Sequence, residues 1–256
     1  MKLLDGRTAA SFIKQRHIQV VAGLDVQPRL AIVRSEENEA GDKYLKMKRA
    51  YGDDIGVAVD LYIETPDSMP KRIKELNKDA GVSGILIQMP IGDELLTKHV
   101  LDLVDKAKDV DGLTPNSPFE TGTPKAILWL LAAFNVDIKG HIVVVGQGRL
   151  VGQPLTDRLE AAGHEVTRCD VNTKDLKAET IKADMLFTAT GIPNLITADM
   201  LKQGAVVVDA GSPRNELDES VYDREDLTVS PNPGGVGPMT VAALFDNLLI
   251  AAQSRD

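Results

Sequence analysis

Ile142-Val-Val-Val-Gly-Gln-Gly-Arg-Leu-Val-Gly-Gln-Pro-Leu-Thr-Asp-Arg-Leu159 reads as strand, glycine turn and helix in succession. Four β-branched residues form the strand and the following glycines form the turn. Gly146 permits the tight turn, Gly148 lets a pyrophosphate come close to the backbone, and Gly152 allows close helix packing. The free N–H groups of the helix start would then face the phosphates. The turn therefore offers Gly146, Gln147, Gly148, Arg149 and Gly152 as candidate cofactor contacts. The spacing G-x-G-x-x-x-G is one residue longer than the usual fingerprint, and a purely structural glycine turn is the competing reading. A second strand, 165–169, ends beside Asp170, about twenty residues downstream, where a ribose-binding acid belongs. A carboxylate there accepts hydrogen bonds from the ribose hydroxyls and repels a 2′-phosphate, which favours NAD over NADP. Its other reading is a solvated acid at a strand end, and Arg149, Arg168 and Lys174 are near enough in sequence to hold a phosphate.

Outward from this turn, strands and helices alternate along the whole chain. Residues 30–33, 57–63 and 84–87 read as strands, with helices over 8–22, 42–51 and 68–78. Asp67-Ser68 supplies an N-cap for the last of these. After a helix over about 125–134 come strands at 142–145, 165–169, 185–188, 205–209 and 227–229. The rhythm predicts an α/β fold with mainly parallel sheets in two domains. The turn-rich passage 109–118 is the candidate hinge. The expected partition is 1–118 with 238–256, and 119–237 as the Rossmann-like dinucleotide-binding domain, the last helix returning to the first domain.

Composition narrows the class of function. A 256-residue chain with 43% hydrophobic and 26% charged residues suits a globular protein with a sizeable core. A net charge of −9 argues against nucleic acid as the main partner. The single cysteine, Cys169, excludes an internal disulfide and a cysteine-cluster metal site, and the four histidines show no ligand spacing, so no metal is expected. The polar N-terminus carries no signal-peptide core, and the longest unbroken apolar run, 126–134, is too short for a bilayer. A cytoplasmic location with no membrane partner is the expectation.

Several loops carry candidate chemistry. Pro231-Asn-Pro-Gly-Gly-Val-Gly-Pro238 packs three prolines and three glycines into eight residues and reads as a shaped loop rather than helix or strand. Such a loop lets a flat ligand lie against the main chain, though a rigid interdomain turn has the same composition. Residues 188–193, with Thr190 and Gly191, and 209–212 place small residues just after strands, where ligands of open α/β sheets bind. They also read as ordinary strand-to-helix turns. On the helix over 42–51, Tyr44 and Lys48 share a face while Lys46 points away, an arrangement that offers a ring to stack on and a tunable amine. A solvated lysine-rich helix is the bland alternative. Gln88 closes a buried strand, which suits a ligand contact or a loop cap. Asp109 and Asp111 sit on a tight turn and could simply brace it.

Taken together, these segments resemble the bifunctional methylenetetrahydrofolate dehydrogenase/cyclohydrolase family over essentially the whole length. The resemblance lies in Asp5-Gly-Arg-Thr8, Tyr44-x-x-x-Lys48, Gly84-Ile-Leu-Ile-Gln-Met-Pro90, Lys108-Asp-Val-Asp-Gly112, Val151-Gly-Gln-Pro154, Thr173-Lys-Asp-Leu176 and Pro233-Gly-Gly-Val-Gly-Pro-Met-Thr240, in the family's order. It implies a cytoplasmic homodimer that binds tetrahydrofolate derivatives in a cleft between two domains and a nicotinamide cofactor on the second. It assigns Lys48 as the central catalytic residue, Tyr44 as the ring stacked on the folate, Gln88 as the group that tunes Lys48, and Asp111 as the anchor of the pterin. Pro233, Gly234, Gly235 and Val236 would border folate and nicotinamide.

The chain also departs from the family pattern. Gln147-Gly148 stand where Arg-Ser is common, and Asp170-Val171 where a His-Ser or His-Arg pair is usual, so the familiar 2′-phosphate contacts are absent. The segment 36–42 looks longer than the family loop, with Gly41 in place of a common Ser. The loop after Asp111 and the stretch between Asp209 and Pro231 look abbreviated, and Thr114 replaces a frequent His. The rival readings are a shikimate-type small-substrate dehydrogenase and a dinucleotide-binding module without catalysis.

Overall fold

The computed structural model describes residues 1–35, 39–92, 94–212 and 214–254. It divides into two compact units, one of residues 1–10 and 123–240, the other of 11–122 and 241–256.

The first unit is built on a fully parallel six-stranded sheet: β1 (Lys2–Leu3), β5 (Ile142–Val145), β6 (Val166–Cys169), β7 (Met185–Thr188), β8 (Val206–Asp209) and β9 (Thr228–Val229), in the order β1-β9-β8-β7-β5-β6. The chain leaves β5 for β6 on one side and returns to β7 on the other, which makes the end of β5 a topological switch point. Register aligns the strand ends: Val145 lies opposite both Cys169 and Thr188, and Thr188 opposite Asp209. The turns after β5, β6, β7 and β8 therefore emerge along one edge. Val143, Val145, Leu186, Val207 and Val229 fill the core of this unit.

The second unit carries a smaller parallel sheet of β2 (Arg29–Arg34), β3 (Ala58–Ile63) and β4 (Gly84–Ile87), ordered β3-β2-β4, again with a switch at the central strand. All four residues of β4 are buried, as a short strand covered on both faces requires. Helices α1 (Gly6–Ala22), α2 (Glu39–Ile55), α3 (Met69–Lys78), α4 (Glu94–Asp102) and α8 (Val236–Gln253) belong wholly or mostly to it, and α5 (Gly122–Ala133), α6 (Gly152–Ala161) and α7 (Leu176–Thr180) to the first unit. By length and composition α8 would pass as a membrane span, but 72% of it is buried in the protein, so it is a core helix.

Four expectations need correction. Residues 1–10 group with the six-stranded unit, because β1 pairs with β9. Among the described residues the units divide near 122–123, so the turn 109–118 lies inside the second unit rather than at a hinge. The last residues of the proline-glycine stretch are not loop: Val236-Gly-Pro238 forms the first turn of α8, where proline lacks only an N–H that would have no helical partner. Ser68 occupies the N-cap position of α3 without capping it by its side chain; its hydroxyl donates to Glu64 instead, 2.6 Å away. Residues 36–38 of the segment expected to be long lie outside the described residues.

Candidate functional site

In the three-stranded unit, α2 carries Tyr44 and Lys48 one turn apart on the same face. Lys48 is only 8% exposed while Lys46 is exposed, so the helical phase separates the two lysines as expected. Tyr44 is half-buried. The Lys48 Nζ donates to Gln88 Oε1 at 2.8 Å. Gln88 follows β4 directly, and its own N–H continues the ladder to the Val33 carbonyl at 2.8 Å. Burial pulls the Lys48 amine down to about 8, and the negative charge of Asp111 partly opposes this. Burial likewise pushes the Asp111 carboxyl up to about 6, against the pull of Lys48 and helped by the neighbouring Asp109. Lys48 of α2 thus meets Gln88 at the end of β4 through a hydrogen bond and Asp111 of the 109–118 turn through their opposite charges.

Asp109 has a different job from Asp111. Its buried carboxylate accepts from the Leu113 N–H at 3.2 Å and from both the N–H and the hydroxyl of Thr114 at 2.8 Å. Thr114, unusual for the family, is therefore a brace of the turn. Two further residues hold this turn, and sequence reasoning passed over both roles. Lys108 Nζ donates to the carbonyls of Leu76 and Asp79, at 2.8 and 2.7 Å, at the end of α3. Asn247, buried on α8, donates its amide hydrogens to the carbonyls of Val110 and Glu120 at 2.9 and 2.8 Å. Polar Asp246-Asn247 in an otherwise apolar helix was the available signal for this role, since a buried amide must find partners.

In the six-stranded unit, the turn after β5 has the geometry its glycines suggest. Gly146 sits at φ +92°, and a Cβ there would meet the Ala189 carbonyl oxygen at 2.4 Å. A Cβ on Gly152 would come within 1.7 Å of the Gly146 carbonyl oxygen, so the start of α6 closes directly onto the turn. A Cβ on Gly148 would meet nothing within 4 Å, which leaves open space over the backbone where a diphosphate would lie. The turn therefore fits a dinucleotide. Gln147 is directed into the protein, with its amide on the Val144 carbonyl at 3.2 Å and Thr156 donating to it at 3.4 Å. Arg149 is half-buried.

Asp170 is exposed after β6 and accepts from the Asn172 N–H at 2.8 Å. Arg168, one of the cations near enough in sequence to hold a phosphate, is already engaged by Asp157 at 2.9 Å and Glu160 at 2.6 Å. The loop after β7 is clamped from behind: the Thr190 and Gly191 N–H groups donate to the fully buried Glu216 at 2.7 and 2.5 Å. In the proline-glycine loop, Gly234 stands at φ +112° against the Arg7 guanidinium. A Cβ on Gly6 would strike the Gly235 carbonyl oxygen at 1.9 Å, so glycine there lets the Asp5-Gly-Arg7 segment pack directly on the loop. Asp5 accepts from the Arg7 side chain at 3.0 and 2.9 Å, fixing the guanidinium beside the loop. Pro233 is exposed, and Gly235 and Val236 are buried beneath it.

Residues 4–111 match the profile of the tetrahydrofolate dehydrogenase/cyclohydrolase catalytic domain, and residues 121–256 that family's NAD(P)-binding domain. The chain belongs to the tetrahydrofolate dehydrogenase/cyclohydrolase family. It is 34% identical over 280 residues to the bifunctional protein FolD of Nitratiruptor sp., covering 100% of this chain and 99% of that one. The crystal structure of the bifunctional enzyme FolD from Campylobacter jejuni superposes with a TM-score of 0.93 at 32% identity, covering 100% of both chains. Shikimate 5-dehydrogenase from Thermus thermophilus shares the fold at a TM-score of 0.62 and 17% identity, covering 90% of this chain and 100% of that one. That likeness accounts for the shikimate-type alternative, which the family assignment does not favour.

Proposed function

We propose that this chain oxidises 5,10-methylenetetrahydrofolate to the 5,10-methenyl form with a nicotinamide dinucleotide, NAD in preference to NADP, and hydrolyses the product to 10-formyltetrahydrofolate. The observation that carries the reading is the Lys48–Gln88–Asp111 cluster in a chain of this family. The dinucleotide, when bound, accepts the hydride that leaves the one-carbon bridge. Gly146, Gly148, Arg149 and Gly152 would hold its diphosphate, Asp170 its ribose, and Thr190, Gly191 and Val236 its nicotinamide end. Gln147 stays in the role of a turn brace.

The protein's own groups do the rest. Tyr44 offers a ring face to the pterin, Asp111 accepts hydrogen bonds from the pterin's amino edge, and Pro233, Gly234 and Gly235 border the folate. Asp111 is ionised at neutral pH because its carboxyl titrates near 6, so those bonds are charge-assisted. Lys48 is the base of the second step. An amine that titrates near 8 is neutral in roughly a tenth of molecules at pH 7, against about one in several thousand for an ordinary lysine. Water attacks the methenyl carbon as Lys48 takes a proton; the bond to N5 then breaks, N5 keeps one proton, and one is released. Gln88 Oε1 fixes where the amine sits during this transfer.

Two observations support the NAD preference. Asp170 would repel a 2′-phosphate, and Arg168 is neutralised by Asp157 and Glu160. A cytoplasmic homodimer remains part of the proposal on the strength of the resemblance. The test is an assay for reduced dinucleotide and methenyl product with NAD and then NADP. Dinucleotide reduction with kcat/KM about tenfold or more higher for NAD is expected; equal values would overturn the preference, and no reduced dinucleotide with either would overturn the function.

A further inference from the structure

Glu216 and Asp209 form a buried acidic hub beneath the strand-end loops of the six-stranded unit. Glu216 is 0% and Asp209 2% exposed. Besides the two N–H groups above, Glu216 accepts from the Thr190 hydroxyl at 2.9 Å. Asp209, the last residue of β8, accepts from the Gly211 N–H at 2.7 Å, the Glu216 N–H at 3.0 Å, the Thr188 hydroxyl at 3.4 Å and the Asn232 amide at 3.2 Å. Asn232 also donates to the Gly211 carbonyl at 3.2 Å. The loops after β7, β8 and β9 are thereby tied to two carboxylates, and none of these groups lies in the candidate cofactor contacts except Thr190 and Gly191.

The hub reaches the dinucleotide turn in one step. Ala189 and Thr190 are the residues against which a Cβ on Gly146 would collide, at 2.4 and 3.0 Å. The loop that Glu216 clamps is the wall against which the glycine turn is packed. Packed walls of this kind transmit position because there is little free volume to absorb a shift. A carboxylate is well suited to hold such a loop, because its two lone-pair-rich oxygens collect several N–H and O–H donors at once, which no amide or hydroxyl can match in number.

We propose that Glu216 is a positioning residue that sets dinucleotide affinity by fixing the 189–191 loop against the glycine turn. The inference rests on the reading that this unit binds a nicotinamide dinucleotide. Glu216→Gln keeps the shape but replaces one acceptor oxygen with a donor facing the Thr190 hydroxyl. The Kd for NAD, measured by titration calorimetry on the full chain, is expected to rise about tenfold, and the KM for NAD with it, while kcat at saturating NAD changes by less than about threefold. Glu216→Asp, which keeps the charge but draws the carboxylate back from the Thr190 and Gly191 N–H groups, is expected to give a smaller rise in the same direction and supplies the answer if Glu216→Gln does not fold. Folded variants that bind NAD within about twofold of wild type overturn the proposal. So does a loss confined to thermal stability, which is what a purely structural carboxylate gives. Wild-type protein that binds no dinucleotide would instead overturn the underlying reading, so the two failures are distinguishable.

Discussion

Methionine fills nearly the volume of lysine without its charge, so Lys48→Met isolates what the buried ammonium costs the fold. In the native state the amine titrates near 8 rather than at its ordinary value of 10.5, a difference worth about 3 kcal/mol in favour of the neutral form. Because the folded state binds this proton more weakly than the unfolded chain, the cost is fully present below pH 8. It fades between about 8 and 10.5, so wild-type stability gains from this group as pH rises through that window. Against the relief stand the lost hydrogen bond to Gln88, about 1 kcal/mol, and the loss of the charge that keeps Asp111 ionised. The variant is therefore expected to be more stable than wild type by about 1–2 kcal/mol at pH 7, and to lose that advantage by pH 10.5, where the missing Gln88 hydrogen bond leaves it roughly 1 kcal/mol less stable. Urea titrations followed by far-UV circular dichroism at both pH values measure it. A variant less stable than wild type at pH 7, or a gap unchanged at high pH, would refute the reasoning.

Other outcomes follow from the same geometry. Asp111→Asn removes the charge that holds the Lys48 amine up, so the pH at which hydrolysis reaches half its maximum should fall below that of wild type; KM for the folate should rise if the pterin loses its anionic partner, and steady-state profiles check both. Asp157→Asn combined with Glu160→Gln frees Arg168, and the ratio of kcat/KM for NADP to that for NAD should increase about tenfold. Asn247→Ala removes that donor from the buried Val110 carbonyl and the partly buried Glu120 carbonyl, and a loss of about 1–3 kcal/mol in a urea titration is expected, together with lower kcat from a loosened Asp111 turn.

Most strands were legible because they are short apolar runs, many of them β-branched, between turn formers, and β4 through β8 differ from expectation by at most one residue at an end. What escaped was long-range or polar. Strand β1 is only Lys2-Leu3, and two residues carry no periodicity; it exists because β9 lies alongside. Helix α4 was missed although Glu94-Leu-Leu-Thr-Lys-His-Val is amphipathic, since the glycine and proline before it read as loop. The Tyr44–Lys48 pair was readable from helical phase, and Lys48 from the family resemblance, but no local pattern reveals that a lysine is buried. Gln147 shows the converse failure: it sits in the cofactor motif, yet its side chain turns back onto Val144. Glu216 gave no signal at all, because its partners lie some 25 residues away across a turn-rich segment.

The proposal that an amine held partly neutral by burial performs the hydrolytic step is tested most directly with one substrate. Wild type and Lys48→Met are each given 5,10-methenyltetrahydrofolate at pH 7, and the decay of the methenyl absorbance is followed with the uncatalysed rate subtracted. A fall in enzymatic hydrolysis of about a hundredfold or more is predicted, in a variant that remains folded. Hydrolysis at the wild-type rate would contradict it.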